Sequence, residues 1–263
     1  MSIELFYGIM FFIFGLCFGS FYNVVGTRLP KNKSIVYPPS HCTNCNHKLK
    51  FYELIPVISY VILGGKCSKC KERIGLIDPF FELLTGILFC LCYLKFGLSL
   101  DLVKALIFVS ILIIISISDI NYYIIPDEVL IFGVILLIVY YVIDTIINKL
   151  TLFNGVFLPI INGLASFSLL YLFKVLGDLL FKKESLGGGD IKLLFLIGLV
   201  IGFDMSIVSI FIAAFVALPL SVVSLIKDDN NVLPFGPYLS IGALIILFTN
   251  INLEIILDFF QNL

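Results

Sequence analysis

Long runs of apolar residues, separated by short polar stretches, fill most of the chain. A helix needs roughly 20 mostly apolar residues to cross the hydrocarbon core of a bilayer, and the runs come near this length. The sixth run is the shortest, and we expect it to pack against neighbouring helices or to leave its glycine-rich start in a cavity lined by protein. The pattern predicts eight membrane helices, at about residues 3 to 26, 79 to 95, 99 to 118, 128 to 147, 154 to 178, 190 to 203, 205 to 226 and 237 to 258.

The composition also indicates a membrane protein. Hydrophobic residues make up 60% of the chain and charged residues 13%, whereas soluble domains carry roughly 25% charged residues. The sequence therefore predicts an all-α polytopic membrane protein that is surrounded by lipid. The net charge of -1 argues against a nucleic-acid partner, because binding to phosphates needs a basic surface.

The basic residues between the apolar runs predict the orientation in the membrane. If the N-terminus is outside, 13 Lys and Arg residues fall in segments on the inner side and 3 on the outer side. Short loops that are rich in Lys and Arg stay in the cytoplasm, so this orientation is the expected one. It places the one sizeable polar segment, residues 29 to 78, in the cytoplasm between the first two helices.

This polar segment carries two pairs of cysteines, Cys42 with Cys45 and Cys67 with Cys70. Two C-x-x-C pairs offer four thiolates to a tetrahedral Zn²⁺ ion, and a segment of about 50 residues is hard to fold without a metal or cross-links. Disulfides are the alternative, but the reducing cytoplasm disfavours them. We expect a structural zinc ion, because four cysteines leave no open coordination position for a catalytic water.

Two acidic residues stand at the ends of apolar runs. Asp190 follows Gly187, Gly188 and Gly189 and begins the sixth run, while Asp119 comes directly after the third run. Ionisable groups at such places are candidates for a functional site. The alternative for Asp119 is that it merely ends its helix among the lipid headgroups.

Four other polar residues allow two interpretations each. Asp127 either caps the helix that follows it or assists the site. Lys192 either extends to the lipid surface or acts together with the glycine-aspartate motif. Asn23 and Arg28, at the end of the first apolar run, either hold a substrate or contact headgroups.

Motifs of other hydrolases are missing from the sequence. Neither H-E-x-x-H nor G-x-S-x-G occurs, and His41 and His47 are the only two histidines. This argues against a metalloprotease and against a Ser-His-Asp hydrolase. A pair of carboxylates is the best supported catalytic apparatus, because two carboxyl groups can act as acid and base.

A series of motifs, in order along the chain, resembles the type IV prepilin peptidases, which are membrane aspartic proteases of the GxGD type. The resemblance spans nearly the whole chain. It departs from the family at Asp78, where an aromatic residue is usual. The motifs are residues 19 to 30, the two cysteine pairs with residues 55 to 60 between them, residues 79 to 86, Asp119 with residues 125 to 127, residues 187 to 194 and residues 234 to 238.

The resemblance implies specific roles for these residues. Asp119 and Asp190 fall on the catalytic aspartates of the family, and the four cysteines fall on its zinc ligands. Many members also methylate the new N-terminal amine with S-adenosylmethionine, so both activities are expected here. We expect the residues around the pair to position the substrate or assist the reaction: Gly187, Gly188, Gly189, Asp127 and Lys192.

The implied substrate is a prepilin or pseudopilin with a basic leader and a hydrophobic stem. The implied location is the bacterial cytoplasmic (inner) membrane, with the site on the cytoplasmic side. The pilus, type II secretion or competence system it serves is left open. We expect three parts: a first membrane helix at residues 1 to 28, a zinc-binding segment associated with methyl transfer at 29 to 78, and a transmembrane aspartic peptidase domain at 79 to 263.

Two other functions compete with this one. A proton- or ion-coupled transporter could use the same aspartates as a relay, but such relays lie near the middle of the membrane and use broken helices. A membrane scaffold organised by zinc would leave the Gly187 to Asp190 run without a purpose.

Overall fold

The structure is a computed structural model that describes residues 3–182, 186–226 and 233–249. Nearly all regular structure among these residues is helical, with a 3-10 turn at Phe51–Leu54 and a π-helical turn at Phe153–Phe157 before the sixth helix. The α-helices are α1 Ile3–Arg28, α2 Ile58–Ile62, α3 Ile77–Phe96, α4 Leu100–Tyr122, α5 Asp127–Ile147, α6 Leu158–Phe181, α7 Gly188–Ile201, α8 Phe203–Ile226 and α9 Gly236–Phe248.

The all-helical fold is confirmed, and every predicted membrane helix corresponds to an observed one. Six of the described helices, α1, α3, α4, α5, α6 and α8, are long and apolar enough to cross a membrane. The helices α7 and α9 have 14 and 13 residues, so a count of eight spans is not confirmed. Residues 250 to 258 of the last predicted helix lie outside the described residues.

The contacts divide the chain into two compact units, residues 1–102 and 103–263. In the first unit, α3 packs along α1. The predicted division by function, into residues 1 to 28, 29 to 78 and 79 to 263, is a separate matter and stays a prediction.

Glycines bring α1 and α3 together in the first unit. A Cβ atom added to Gly15 would lie 2.6 Å from the Thr85 carbonyl oxygen and 2.7 Å from the Cα of Gly86. One added to Gly19 would lie 2.8 Å from the Cα of Glu82. Small residues four positions apart let membrane helices approach at backbone distance, where dispersion contacts stabilise the pair.

In the second unit, α7 is a core helix. The side chains of Leu193, Leu194, Leu196 and Ile197 are fully buried. The helix packs mainly on α6, with further contacts to α5, α8 and α9. This agrees with the expectation that the shortest apolar run packs against its neighbours.

We predict that Gly15→Ala destabilises the first unit, while Gly8→Ala does not. The first change forces a methyl group into the α3 backbone, and overpacking of this kind costs about 1–3 kcal/mol. A Cβ at Gly8 would lie 3.7 Å from the Cys90 sulfur, an ordinary contact. Thermal unfolding of both variants in detergent measures the difference, and equal stability of the two would contradict this packing.

Candidate active site and metal centre

Asp119 lies in the last turn of α4, which continues four residues beyond the predicted end at 118. Its side chain is 6% exposed. The helix ends where Tyr123 takes a left-handed conformation with φ of 57° and donates its N–H to the Asp119 carbonyl oxygen at 2.9 Å. This is the geometry of a helix C-cap, and it turns the chain toward α5.

The Asp119 carboxylate accepts a hydrogen bond from the first residue of α9. The Gly236 N–H donates to Asp119 Oδ2 at 2.9 Å. The N-terminal N–H groups of a helix have no partner within the helix, and the helix dipole favours a negative charge there. A Cβ on residue 236 would lie 2.8 Å from the same oxygen, so glycine is what permits the contact.

Asp190 lies in the first turn of α7 and is 9% exposed. Its Oδ2 atom would lie 2.9 Å from a Cβ on Gly187, the N-cap residue, so the carboxyl group folds back toward its own helix start. Asp119 and Asp190 are close enough to interact electrostatically. The structure therefore brings the two predicted carboxylates together, each beside a helix N-terminus.

Ile125 fills the space between the two helix starts. A Cβ on Gly189 would lie 2.8 Å from the Ile125 Cβ, and one on Gly236 would lie 3.4 Å from its Cδ1. Gly188 is exposed, and a Cβ there would meet nothing within 4 Å. A side chain at residue 187 or 189 would therefore collide with a neighbouring side chain. At residue 188 there is room for one, and the backbone there is accessible.

Asp127 and Lys192 form an ion pair that joins the start of α5 to the first turn of α7. The Lys192 Nζ atom lies 2.7 Å from Asp127 Oδ1 and 2.8 Å from Oδ2. Asp127 is the first residue of α5 after the N-cap Pro126, and the N-cap makes no side-chain hydrogen bond. Both side chains are about half exposed, so the pair stabilises the fold by at most about 1 kcal/mol.

The four cysteines of the first unit form a cluster that can hold a metal ion. Their sulfur atoms all lie within 4.8 Å of one another. The distances are 3.7 Å between Cys42 and Cys70 and 3.9 Å between Cys45 and Cys67. Four thiolates at about 2.3 Å from one zinc ion stand about 3.8 Å apart in a tetrahedron, so the donor set fits this metal.

Each C-x-x-C pair forms a tight turn, which we call a knuckle: Cys42 to Cys45 is the first and Cys67 to Cys70 the second. The two knuckles have the same backbone hydrogen-bond pattern. The N–H of Cys42 donates to the His47 carbonyl at 2.9 Å, and the N–H of Cys67 donates to the Glu72 carbonyl at 2.8 Å. Backbone N–H groups of Cys45 and Asn44 lower the pKa of the Cys42 thiol to about 7. This favours the thiolate of Cys42, which is the form that binds metal. At Cys70 the Glu72 N–H acts in the same direction, but burial and the neighbouring thiols outweigh it and raise the pKa to about 12.

Asn23 and Arg28 both make hydrogen bonds within the first unit. The Asn23 Nδ2 group donates to the Asp78 carbonyl at 3.0 Å, which joins the end of α1 to the start of α3. Arg28 Nη1 donates to the Ser34 carbonyl at 3.1 Å. These contacts give both residues a structural role, whatever else they bind.

Gly236 is a site residue for which the sequence predicts no specific role. The motif at residues 234 to 238 carried a signal, because a glycine followed by Pro237 at the start of an apolar run is typical of a helix N-terminus. The ion pair between Asp127 and Lys192 was missed as well, since 65 residues separate its members along the chain.

Two family profiles match the chain. The Bacterial Peptidase A24 N-terminal domain matches residues 13–96, and the Type IV leader peptidase family matches residues 106–222. The first match contains α3 and the cysteine cluster, and the second contains both aspartates.

Curated relatives match over most of their length. A prepilin leader peptidase/N-methyltransferase of Bacillus subtilis is 32% identical over 89% of this chain and 91% of its own length. Proteins with the same name from Pseudomonas aeruginosa and Neisseria gonorrhoeae are 31% and 27% identical, over 89% and 90% of this chain and 88% and 89% of their own lengths. No solved structure gives a significant match.

Proposed function

Since the chain belongs to the type IV leader peptidase family, we propose that it cleaves the leader from a type IV prepilin or pseudopilin and methylates the new N-terminal residue. The observation that carries the proposal is the meeting of two buried carboxylates, Asp119 and Asp190, at the starts of two helices. A pair of this kind supports hydrolysis without a covalent intermediate.

In the proposed reaction the pair shares one proton. The ionised member takes a proton from a water molecule, whose oxygen attacks the scissile carbonyl carbon. The protonated member donates to the carbonyl oxygen, which gives a tetrahedral intermediate. The C–N bond then breaks as the leaving amine takes the proton that the base removed from water, and a hydroxyl of the intermediate returns its proton to the other carboxylate as the C=O bond forms again. Two neighbouring carboxylates cannot both ionise easily, so the pair is held in the mixed state that this sequence needs.

Gly236 suggests which member carries the negative charge. Its N–H group and the start of α9 stabilise an anion on Asp119. We therefore assign Asp119 as the base and Asp190 as the acid in the first step. The open backbone at Gly188 offers a place where an extended substrate can approach the pair.

We assign the Asp127–Lys192 ion pair a positioning role. It joins the start of α5 to the first turn of α7, two residues after Asp190. Since Asp127 also follows the loop that leaves Asp119, the pair limits how far the two carboxylates can separate.

We propose that the cysteine cluster binds structural zinc and that the first unit supports methyl transfer from S-adenosylmethionine. The curated relatives carry the N-methyltransferase name, and a closed four-cysteine site offers no position for a catalytic water. When bound, zinc would join the two knuckles through its four thiolate ligands and would have a structural role only.

The proposed location is a bacterial inner membrane, with an outer N-terminus and the site on the cytoplasmic side. The 13 to 3 distribution of basic residues supports it. Neither the family membership nor the curated relatives favour the transporter alternative.

Incubation of the purified protein with a prepilin and S-adenosylmethionine tests both activities. Mass spectrometry is expected to detect loss of the leader and gain of one methyl group on the mature N-terminus. An intact prepilin would contradict the peptidase, and a free amine at saturating methyl donor would contradict the transferase alone.

We predict that Asp119→Asn and Asp190→Asn each abolish cleavage. An amide has the size of the carboxylate but can neither take nor share the proton. The losses are not expected to add in the double variant, because the two groups act as one unit. The cleavage rate of the wild type should decrease on both sides of an optimum pH. The two apparent pKa values of this profile belong to the coupled pair and not to either aspartate alone.

Asp127→Asn is the matched comparison for this series. It removes the charge that pairs with Lys192 and keeps the shape, so it should lower turnover only in part. Substantial cleavage by folded Asp119→Asn or Asp190→Asn would overturn the assignment of the pair.

We predict that Gly236→Ala lowers turnover at least about tenfold, in line with the loss of one preorganised donor. The added methyl group would lie 2.8 Å from Asp119 Oδ2 and would push the carboxylate away from the N–H group. Gly75→Ala is the control, since a Cβ there meets nothing within 4 Å. Equal turnover in both variants would mean that the contact with Asp119 does not matter.

We predict that Cys42→Ser and Cys67→Ser lower zinc content, thermal stability and methyl transfer together. Structural zinc binding is part of the folding free energy of small domains. Cys17→Ser is the control, because Cys17 is exposed and outside the cluster. Folded protein with clearly less than one zinc per chain, measured by elemental analysis, would rule out the zinc assignment.

A further inference from the structure

Burial is inverted in the chain between the two cysteine knuckles. Phe51 is 86% exposed and Tyr52 is 56% exposed, whereas the neighbouring Glu53 is only 7% exposed. Glu53 turns inward, where its carboxylate accepts the Lys50 N–H at 2.6 Å and contacts His47 at 3.3 Å. In a segment surrounded by water, glutamate is usually exposed, and Phe and Tyr are usually more buried than here.

The helix α2 continues this apolar surface. Ile58, Val61 and Ile62 share one side of the helix by their spacing and are 53%, 69% and 78% exposed. Tyr60 faces the second knuckle instead, with its hydroxyl 3.4 Å from the Ile74 carbonyl. The turn Phe51–Leu54 packs on α2. We call the exposed side chains of this part the apolar face: Phe51, Tyr52, Leu54, Ile58, Val61 and Ile62.

A hydrogen bond fixes the level of the apolar face relative to a membrane helix. The Val57 N–H donates to Glu82 Oε2 at 2.7 Å. Glu82 comes five residues after the start of α3 at Ile77, which corresponds to about 7.5 Å along the helix. The loop therefore lies beside the first turns of a helix that is long and apolar enough to cross a membrane.

The conformation of Val57 indicates that this attachment is specific. Its φ of 60° is in the left-handed region, which β-branched residues rarely adopt. Such a conformation persists only where surrounding contacts hold it. The bond to Glu82 is one of these contacts.

The charge of the segment identifies the kind of surface that covers the apolar face. Residues 29 to 78 contain eight Lys and Arg residues against three acidic ones, in a chain whose net charge is -1. The lysines of the two cysteine pairs and their flanks are exposed, namely Lys48, Lys50, Lys66, Lys69 and Lys71, and the Lys50 Nζ atom lies 5.8 Å from the centre of the Tyr52 ring. Exposed apolar side chains between lysines are typical of segments that lie in the interface of an anionic bilayer.

We propose that the apolar face inserts into the headgroup layer of an anionic membrane, so that the zinc-binding segment lies on the bilayer instead of extending into water. The lysines contact the lipid phosphates, and Phe51, Val61 and Ile62 reach the first acyl carbons. This interaction is independent of the proposed peptidase activity.

The chain contains no tryptophan, so one introduced tryptophan reports its own surroundings. Phe51→Trp and Ile62→Trp would each be placed in nanodiscs that contain anionic phosphatidylglycerol, with or without bromine on the upper acyl chain. Phe14→Trp, in the exposed part of α1, is the lipid control. Thr43→Trp, on the exposed side of the first knuckle, is the water control. Thermal unfolding at the temperature of the wild type identifies the variants that are folded.

Emission from residues 51 and 62 is expected to shift to shorter wavelength and to be lost in the brominated discs, as for residue 14 and unlike residue 43. Unquenched emission at long wavelength would mean that the face is in water, and unquenched emission at short wavelength would mean that protein covers it. Either result overturns the proposal. Quenching should weaken in purely zwitterionic discs, and unchanged quenching there would overturn the role of the lysines.

Discussion

The second unit depends on the stabilisation of negative charge at helix starts. A carboxylate in a protein core surrounded by lipid has no bulk water to solvate it, so protein groups must supply the donors. Asp119 takes an N–H from the first residue of α9, and Asp190 lies in the first turn of α7. Two helix N-termini that approach each other at Ile125 therefore stabilise the single negative charge that the proposed pair carries.

Glycine makes this arrangement possible for steric reasons more than for flexibility. Gly187, Gly189 and Gly236 each leave room for a neighbouring side chain where a methyl group would collide. The same is true between α1 and α3, where Gly15 lies against the backbone of the facing helix. In both units, close backbone approach replaces the hydrophobic driving force that lipid cannot provide.

The sequence predicted the apolar helices, the cysteine cluster and the proximity of Asp119 to Asp190, because each depends on local pattern or on motif order. The count of eight spans and the catalytic role of the two aspartates stay predictions. The sequence pattern placed the end of α4 four residues early, since Asp119 to Tyr122 look like a polar boundary although they continue the helix. The Gly236 donor and the Asp127–Lys192 pair could not be predicted in this way. Both join residues that are distant in sequence, and no local pattern records which helix starts meet.

The shortness of α7 has a consequence for the lipid around it. Its 14 residues cover about 21 Å, whereas the hydrocarbon core of a typical bilayer is about 30 Å thick. A hydrophobic helix that is shorter than the hydrocarbon core is accommodated by local thinning of the bilayer or by a helix start that lies below the membrane surface within the protein. In both cases the depth of the carboxylates is coupled to acyl-chain length. Membrane thickness is therefore a physical variable that acts on the level of the two carboxylates.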